Sequence, residues 1–146
     1  MNLEKLLSDN YIEEIGVDKE LTKRALKIAE RDLEAAKENW EGGQYDWTLA
    51  IAYNSMLQAG RSLMFSKGYR PAGAYRHVSV SLFVDTLEEL HEFSTHFDRL
   101  RKKRHKAVYE QAEIVSEEEA QQAINWTTKF ISKIKEIIGG DLNGTN

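Results

Sequence analysis

Between Arg99 and Tyr109 the sequence reads RLRKKRHKAVY, with six Lys or Arg and one His inside eight positions. The chain has a formal net charge of -4, so once the +6 of residues 99–106 is set aside the remainder carries -10. A cationic segment on an acidic body is chemistry for anions. Guanidinium groups such as those of Arg101 and Arg104 can grip a phosphate through paired N–H donors and stabilise charge developing on it. An imidazole, with a reference pKa of about 6.5, can move a proton near neutral pH. His105 beside those arginines therefore has the makings of metal-free RNA cleavage with the 2′-hydroxyl as nucleophile. Tyr109 brings a phenol, a poor base but a good hydrogen-bond donor to phosphate. Tyr53, Trp47 and Tyr45 offer rings on which a base can stack, although packing in the core or at a hairpin turn is the commoner use of such residues.

Spacing decides which of these charges is unusual. At about 100° per residue, Leu90, Phe93, Phe97, Leu100, Val108 and, at the edge, Ala107 form one apolar stripe, and Arg104 falls along its middle. Arg99, Lys102, Lys103 and Lys106 point away, as a solvated face would. An Arg in a core-facing stripe must find an acidic partner, a helix end, an interface or an anionic ligand. Arg101, His105 and Tyr109 follow one another at i, i+4 and i+8, a ridge along the flank of that stripe.

The elements that must hold this segment read as helices. Leu3 to Ile15 allow a short amphipathic helix stopped by Gly16. Asp18 is a candidate N-cap for a helix to Glu41, with Gly42-Gly43 as its stop. Asp46-Trp47 opens a third helix closed by Lys67-Gly68, and so short a connection makes the two an antiparallel hairpin. Tyr69 to Arg76 reads as a loop. His77 to Val84 is rich in β-branched residues, but a lone strand would have no partner, so a short helix is predicted. Asp85 or Thr86 should cap a long helix over about 86–112, and Ser116 with Glu119 forms a capping box for a last helix that Gly139-Gly140 ends. Residues 1–140 are thus one domain and 141–146 a flexible tail. The fold class predicted is all-α: an antiparallel up-and-down four-helix bundle with one or two additional short helices.

Composition narrows the function. Hydrophobic residues at 41% and charged ones at 30% belong to a globular chain rather than a disordered one. No apolar run approaches the roughly 18 residues that span a bilayer, and the N-terminus starts no signal peptide, so a cytoplasmic protein with no membrane partner is expected. The absence of Cys removes thiolate metal sites and Cys nucleophiles. His91 and His96 diverge by about 140° on a helix, no H-E-x-x-H occurs, and Glu88-Glu89-Leu90-His91 is a single Glu-x-x-His, so neither a metal site nor a cofactor is expected.

The order and spacing of several segments resemble a known family. These are Ala25, Ala29, Ala35 and Ala36; Gly43-Gln44-Tyr45; AIAYNSMLQAGRSL from Ala50 to Leu63; Lys67-Gly68; the segment at His77; and Leu100 to Tyr109. Over about residues 20–138 the chain resembles the HEPN domains of prokaryotic toxin–antitoxin systems, in particular the small stand-alone proteins encoded beside minimal nucleotidyltransferases. Catalytic members carry R-x4-6-H, commonly with a polar residue after the Arg. Aligned on the helix stripe, the motif Arg is Arg104, the polar residue is His105, and Tyr109 stands where the motif His belongs. Arg99 and His105 satisfy R-x5-H by count, but from different sides of the helix. The resemblance implies a homodimer whose motif helices face a shared cleft, and a nucleotidyltransferase partner. Three functions stay open. The first is a binding module whose cleft holds RNA, nucleotide or that partner through Arg101, Arg104, Lys102, Lys106 and Tyr53, with catalysis degenerate. The second is a metal-independent endoribonuclease toxin using Arg104 or Arg99 with His105, Tyr109 being a candidate site residue of degenerate role, and the third a structural or assembly protein.

Overall fold

The computed structural model describes the backbone of residues 1–144 and all their side chains except those of Tyr75, His77 and residues 141–144. It contains six helices, α1 (Leu3–Ser8), α2 (Lys19–Glu41), α3 (Tyr45–Ser66), α4 (Arg76–Asp85), α5 (His91–Tyr109) and α6 (Glu117–Gly144). Two three-residue strands, β1 (Ile12–Glu14) and β2 (Tyr69–Pro71), complete it. The architecture is the expected all-α bundle, with α2, α3, α5 and α6 as its long members.

Local chemistry explains most boundaries. The Asp18 carboxylate accepts from the Leu21 N–H (2.9 Å) and starts α2, and Gly43, at φ 76°, turns the chain into α3. The capping box before α6 is reciprocal: Ser116 Oγ accepts from the Glu119 N–H (3.0 Å), and Glu119 Oε1 from the Ser116 N–H (3.1 Å).

Four expectations need correction. The first helix stops at Ser8, and Ile12–Glu14 instead pairs antiparallel with Tyr69–Pro71, inside the segment read as a loop, with Glu13 opposite Arg70. Strands this short show no periodicity, and their partners lie far apart in sequence. The helix expected over 86–112 begins later, because Thr86 caps nothing: its hydroxyl donates back to the Phe83 carbonyl (2.6 Å), closing α4. A single 3₁₀ turn (Glu88–Leu90) leads into α5, where His91 Nδ1 lies 2.9 Å from Asp85 Oδ1. Lastly, Gly139-Gly140 do not end α6, which runs on to Gly144; residues 145–146 of the expected tail lie outside the described ones.

α3 is the axis of the molecule. It packs against α2, α4, α5 and α6, and is buried on nearly every side, through Leu49, Ala52, Met56, Ala59, Leu63 and Met64 among others. Buried hydroxyls on it are satisfied: Ser55 donates to the Ala29 carbonyl and Ser62 to that of Ala59, both at 2.6 Å. Phe93, Phe97 and Phe130 interlock in tilted and edge-on pairs at 5.1–5.2 Å between α5 and α6. Among the described residues, no helix is long and apolar enough to cross a membrane.

The approach of α4 to α3 depends on Gly60. A Cβ there would collide with Val80 Cγ1, a branched side chain with little freedom to move. Gly60→Ala is expected to lower the unfolding free energy by about 1–3 kcal/mol in urea titrations. Gly139→Ala, with open space around its Cβ on α6, is expected to leave it unchanged or raise it by up to about 1 kcal/mol. Equal midpoints for Gly60→Ala and the parent chain would contradict the close α3–α4 contact.

Candidate nucleic-acid groove

Along the middle of α3, Asn54 is exposed and Leu57 half-buried, with the buried Tyr53 ring beside them. Tyr53, Asn54 and Leu57, at i, i+1 and i+4, form the floor of an open groove of about 890 Å³ whose other wall is α5, from Arg99 to Lys106, with Glu110 beyond it. The end of α5 is pinned beside α3 by a single carboxylate. Asp46, in the first turn of α3, accepts from the backbone N–H groups of Glu113 (2.6 Å) and Val115 (3.1 Å) in the α5–α6 connection.

The apolar stripe of α5 runs through Leu90, Phe93, Phe97, Leu100 and Ala107, all buried, with Val108 half-buried. Arg104 lies within it, as the spacing predicts, but it is half-buried rather than enclosed. Its partner is not an acid either. The guanidinium carbon sits 5.6 Å from the centroid of the Tyr53 ring, and among the described residues no carboxylate comes within ion-pairing distance of it. A cation held near an aromatic ring is positioned without being neutralised, so its donors remain available to a ligand. Burial pushes the Tyr53 phenol above its ordinary pKa, with Arg101 and Arg104 pulling the other way, so it is a neutral ring at physiological pH.

The other cations divide into held and free. Arg101 donates to Asp98 (2.6 Å), and Lys102 Nζ lies 3.5 Å from the same carboxylate, which the Arg101 hydrogen bond holds below its usual pKa. Lys103 reaches Glu119 on α6 (3.3 Å). Arg99, Arg104 and Lys106 have no such partner among the described residues. His105 and Tyr109 are exposed, their rings 5.2 Å apart, and His105 Nε2 lies 3.9 Å from a Glu110 oxygen. Of the residues singled out in the sequence, Tyr53, Arg101, Lys102, Arg104, His105 and Lys106 line the groove together; Tyr109 does not. Trp47, 55% exposed, and Tyr45 also lie outside it. Among the described residues, no cluster of His, Asp and Glu could hold a metal ion.

Sequence reasoning missed Asp32 and Asn54. Asp32 is a buried carboxylate on α2 that accepts from Asn54 Nδ2 (2.6 Å) and from Arg31 (3.1–3.2 Å). With its NH₂ committed to an acceptor-only group, Asn54 keeps its carbonyl oxygen as the acceptor on the groove floor. The signal was present: Asp32 follows Ala25 and Ala29 on the apolar stripe of α2 and precedes Ala36, the same anomaly that marked Arg104.

A family model described as HEPN domain matches residues 22–137, most of the chain. The chain belongs to the HEPN family. Among curated proteins, no significant match was found. In this HEPN domain Tyr109 is 65% exposed, and Arg99 lies on α5 between the groove and a crevice against α6 lined by His96, Trp126 and Glu119.

That crevice also holds a stacked histidine. The His96 ring stacks on Trp126 at 3.5 Å, and Lys129 Nζ lies 5.0 Å from the same indole. Burial, and then the charge of Arg99, push the His96 pKa down, with Glu92 opposing. A histidine depressed in the folded state binds protons more readily when unfolded, so its contribution is complete above pH about 6.5 and is lost as pH falls through the folded pKa. Between pH 7.5 and 5.5 the melting temperature is expected to fall further for the parent chain than for His96→Phe. Parallel pH profiles would show that the stack is not coupled to protonation.

Proposed function

We propose that this HEPN domain is the binding component of a toxin–antitoxin-type pair and that the α3–α5 groove holds single-stranded RNA. The observation that carries the reading is Arg104 laid on Tyr53 at the groove floor, flanked by Arg99 and Lys106, all without carboxylate partners among the described residues. Phosphates take the free cations, and bases find guanidinium planes, the Leu57 side chain and the Asn54 carbonyl. The same reading has two copies meeting with their α5 segments across one cleft, which would cover the exposed Tyr109, and a nucleotidyltransferase as partner, as the family resemblance implies.

Catalysis is degenerate in this reading. Tyr109 cannot replace an imidazole as a base, and His105 is a solvent-exposed ring beside Tyr109 whose one carboxylate neighbour among the described residues is Glu110, at 3.9 Å.

Fluorescence anisotropy with a labelled 12-nucleotide RNA tests the binding. Arg104→Ala is expected to weaken affinity about tenfold and to lower the slope of log K against log salt by roughly 0.7, the value for one single-strand phosphate. Asp98→Asn, which releases Arg101 and Lys102, is expected to tighten binding and steepen that slope. Affinity indifferent to salt and to Arg104→Ala would overturn the proposal. In EDTA the parent protein is expected to leave the same RNA intact; cleavage that disappears in His105→Ala would establish the ribonuclease reading instead.

A further inference from the structure

A second cleft, about 700 Å³ in volume, opens on the same strip of α3 where α5 ends its cover. Asn54 and Leu57 line both clefts, so the two adjoin at these residues. Beyond them the α3 residues Gln58 and Arg61 form the floor, Arg70 on β2 and Arg76 at the start of α4 form the far wall, and Leu21, Phe65 and Val80 supply apolar surface.

Three guanidinium groups converge here against one carboxylate, Glu13, which is tied to Arg70 as its cross-strand partner in the ribbon. Arg61 and Arg76 are exposed and have no carboxylate within ion-pairing distance among the described residues. Arg61 lies 5.8 Å from the centroid of the Phe65 ring, the same cation-on-aromatic arrangement that Arg104 makes with Tyr53. A chain of net charge -4 thus keeps uncompensated arginines in both of two adjoining clefts.

Resting on the reading of the α5 groove as an RNA site, we infer that the same strand continues across Asn54 into this cleft, where Arg61 and Arg76 take a further backbone phosphate. A strand is favoured over a free nucleotide because charge recurs in both clefts. It is favoured over an acidic polypeptide because apolar and guanidinium surfaces for flat bases alternate with the charges, and a hydrogen-bond acceptor stands at the crossing. The ribbon gains a role as well: pairing β1 with β2 carries Arg70 and the Pro71–Gly73 turn to the rim of the cleft. A Cβ on Gly73, at φ 65°, would press on the Asn10 carbonyl.

Anisotropy titrations of the full chain with 4- and 12-nucleotide RNAs over 50–300 mM NaCl test the path. The exposed pair Arg61→Gln/Arg76→Gln is expected to weaken 12-nucleotide binding at least tenfold and to reduce its salt slope by roughly 0.7–1.4, for one or two phosphates. It should change 4-nucleotide binding less than threefold, and Arg61→Lys/Arg76→Lys should restore the slope. Unaltered 12-nucleotide binding, or an equal loss at both lengths, would overturn the continuous path while leaving the α5 site standing. If the parent chain binds neither RNA, the α5 reading falls and the path with it. A 12-residue poly-glutamate that displaces RNA equally well would also overturn the inference, since the occupant would then be an acidic peptide.

Discussion

The packing of α3 constrains everything else in this molecule. A helix walled in by α2, α4, α5 and α6 leaves Asn54, Leu57, Gln58 and Arg61 open along one strip, with the buried Tyr53 beside it. The neighbouring elements bring their cations to its edges. Two small features hold those edges in place. Asp46 fastens the end of α5 through two backbone N–H groups, and Gly60 lets α4 descend onto the helix. Neither residue touches the proposed ligand.

Electrostatics then follows from which carboxylates were placed where. Asp98 neutralises much of Arg101 and Lys102, and Glu119, held below its usual pKa by Ser116 and Lys103 despite the opposing effect of partial burial, ties Lys103 to α6. These pairs are largely exposed and are worth little to stability, but they decide how much of the +6 faces the groove. What remains is concentrated over a narrow strip with low-dielectric walls, where a field focuses on an approaching polyanion.

Much of this was legible in the sequence because most of the molecule is local. Helical periodicity, the Asp18 cap and the Ser116–Glu119 box each declare themselves within a few residues, and Arg104 announced itself by breaking the apolar stripe of α5. The spacing could not say what satisfies that arginine, since Tyr53 reaches it from another helix. The β1–β2 ribbon was hidden for the same reason: Glu13 and Arg70 meet only once the chain has folded back, and three residues carry no period. Arg61, Arg70 and Arg76 look like scattered surface charges until α3, the ribbon and α4 assemble around them.

Photo-cross-linking reads the position of a bound strand on the native chain. The protein is irradiated with a 12-nucleotide RNA carrying 4-thiouridine at successive positions, and the adducted peptides are mapped by mass spectrometry. Adducts are expected to be confined to residues 53–61 of α3, 70–76 around β2 and 99–110 of α5. Adducts spread over the outer face of α2 or along α6, with none on α3 or α5, would contradict the proposed strand path.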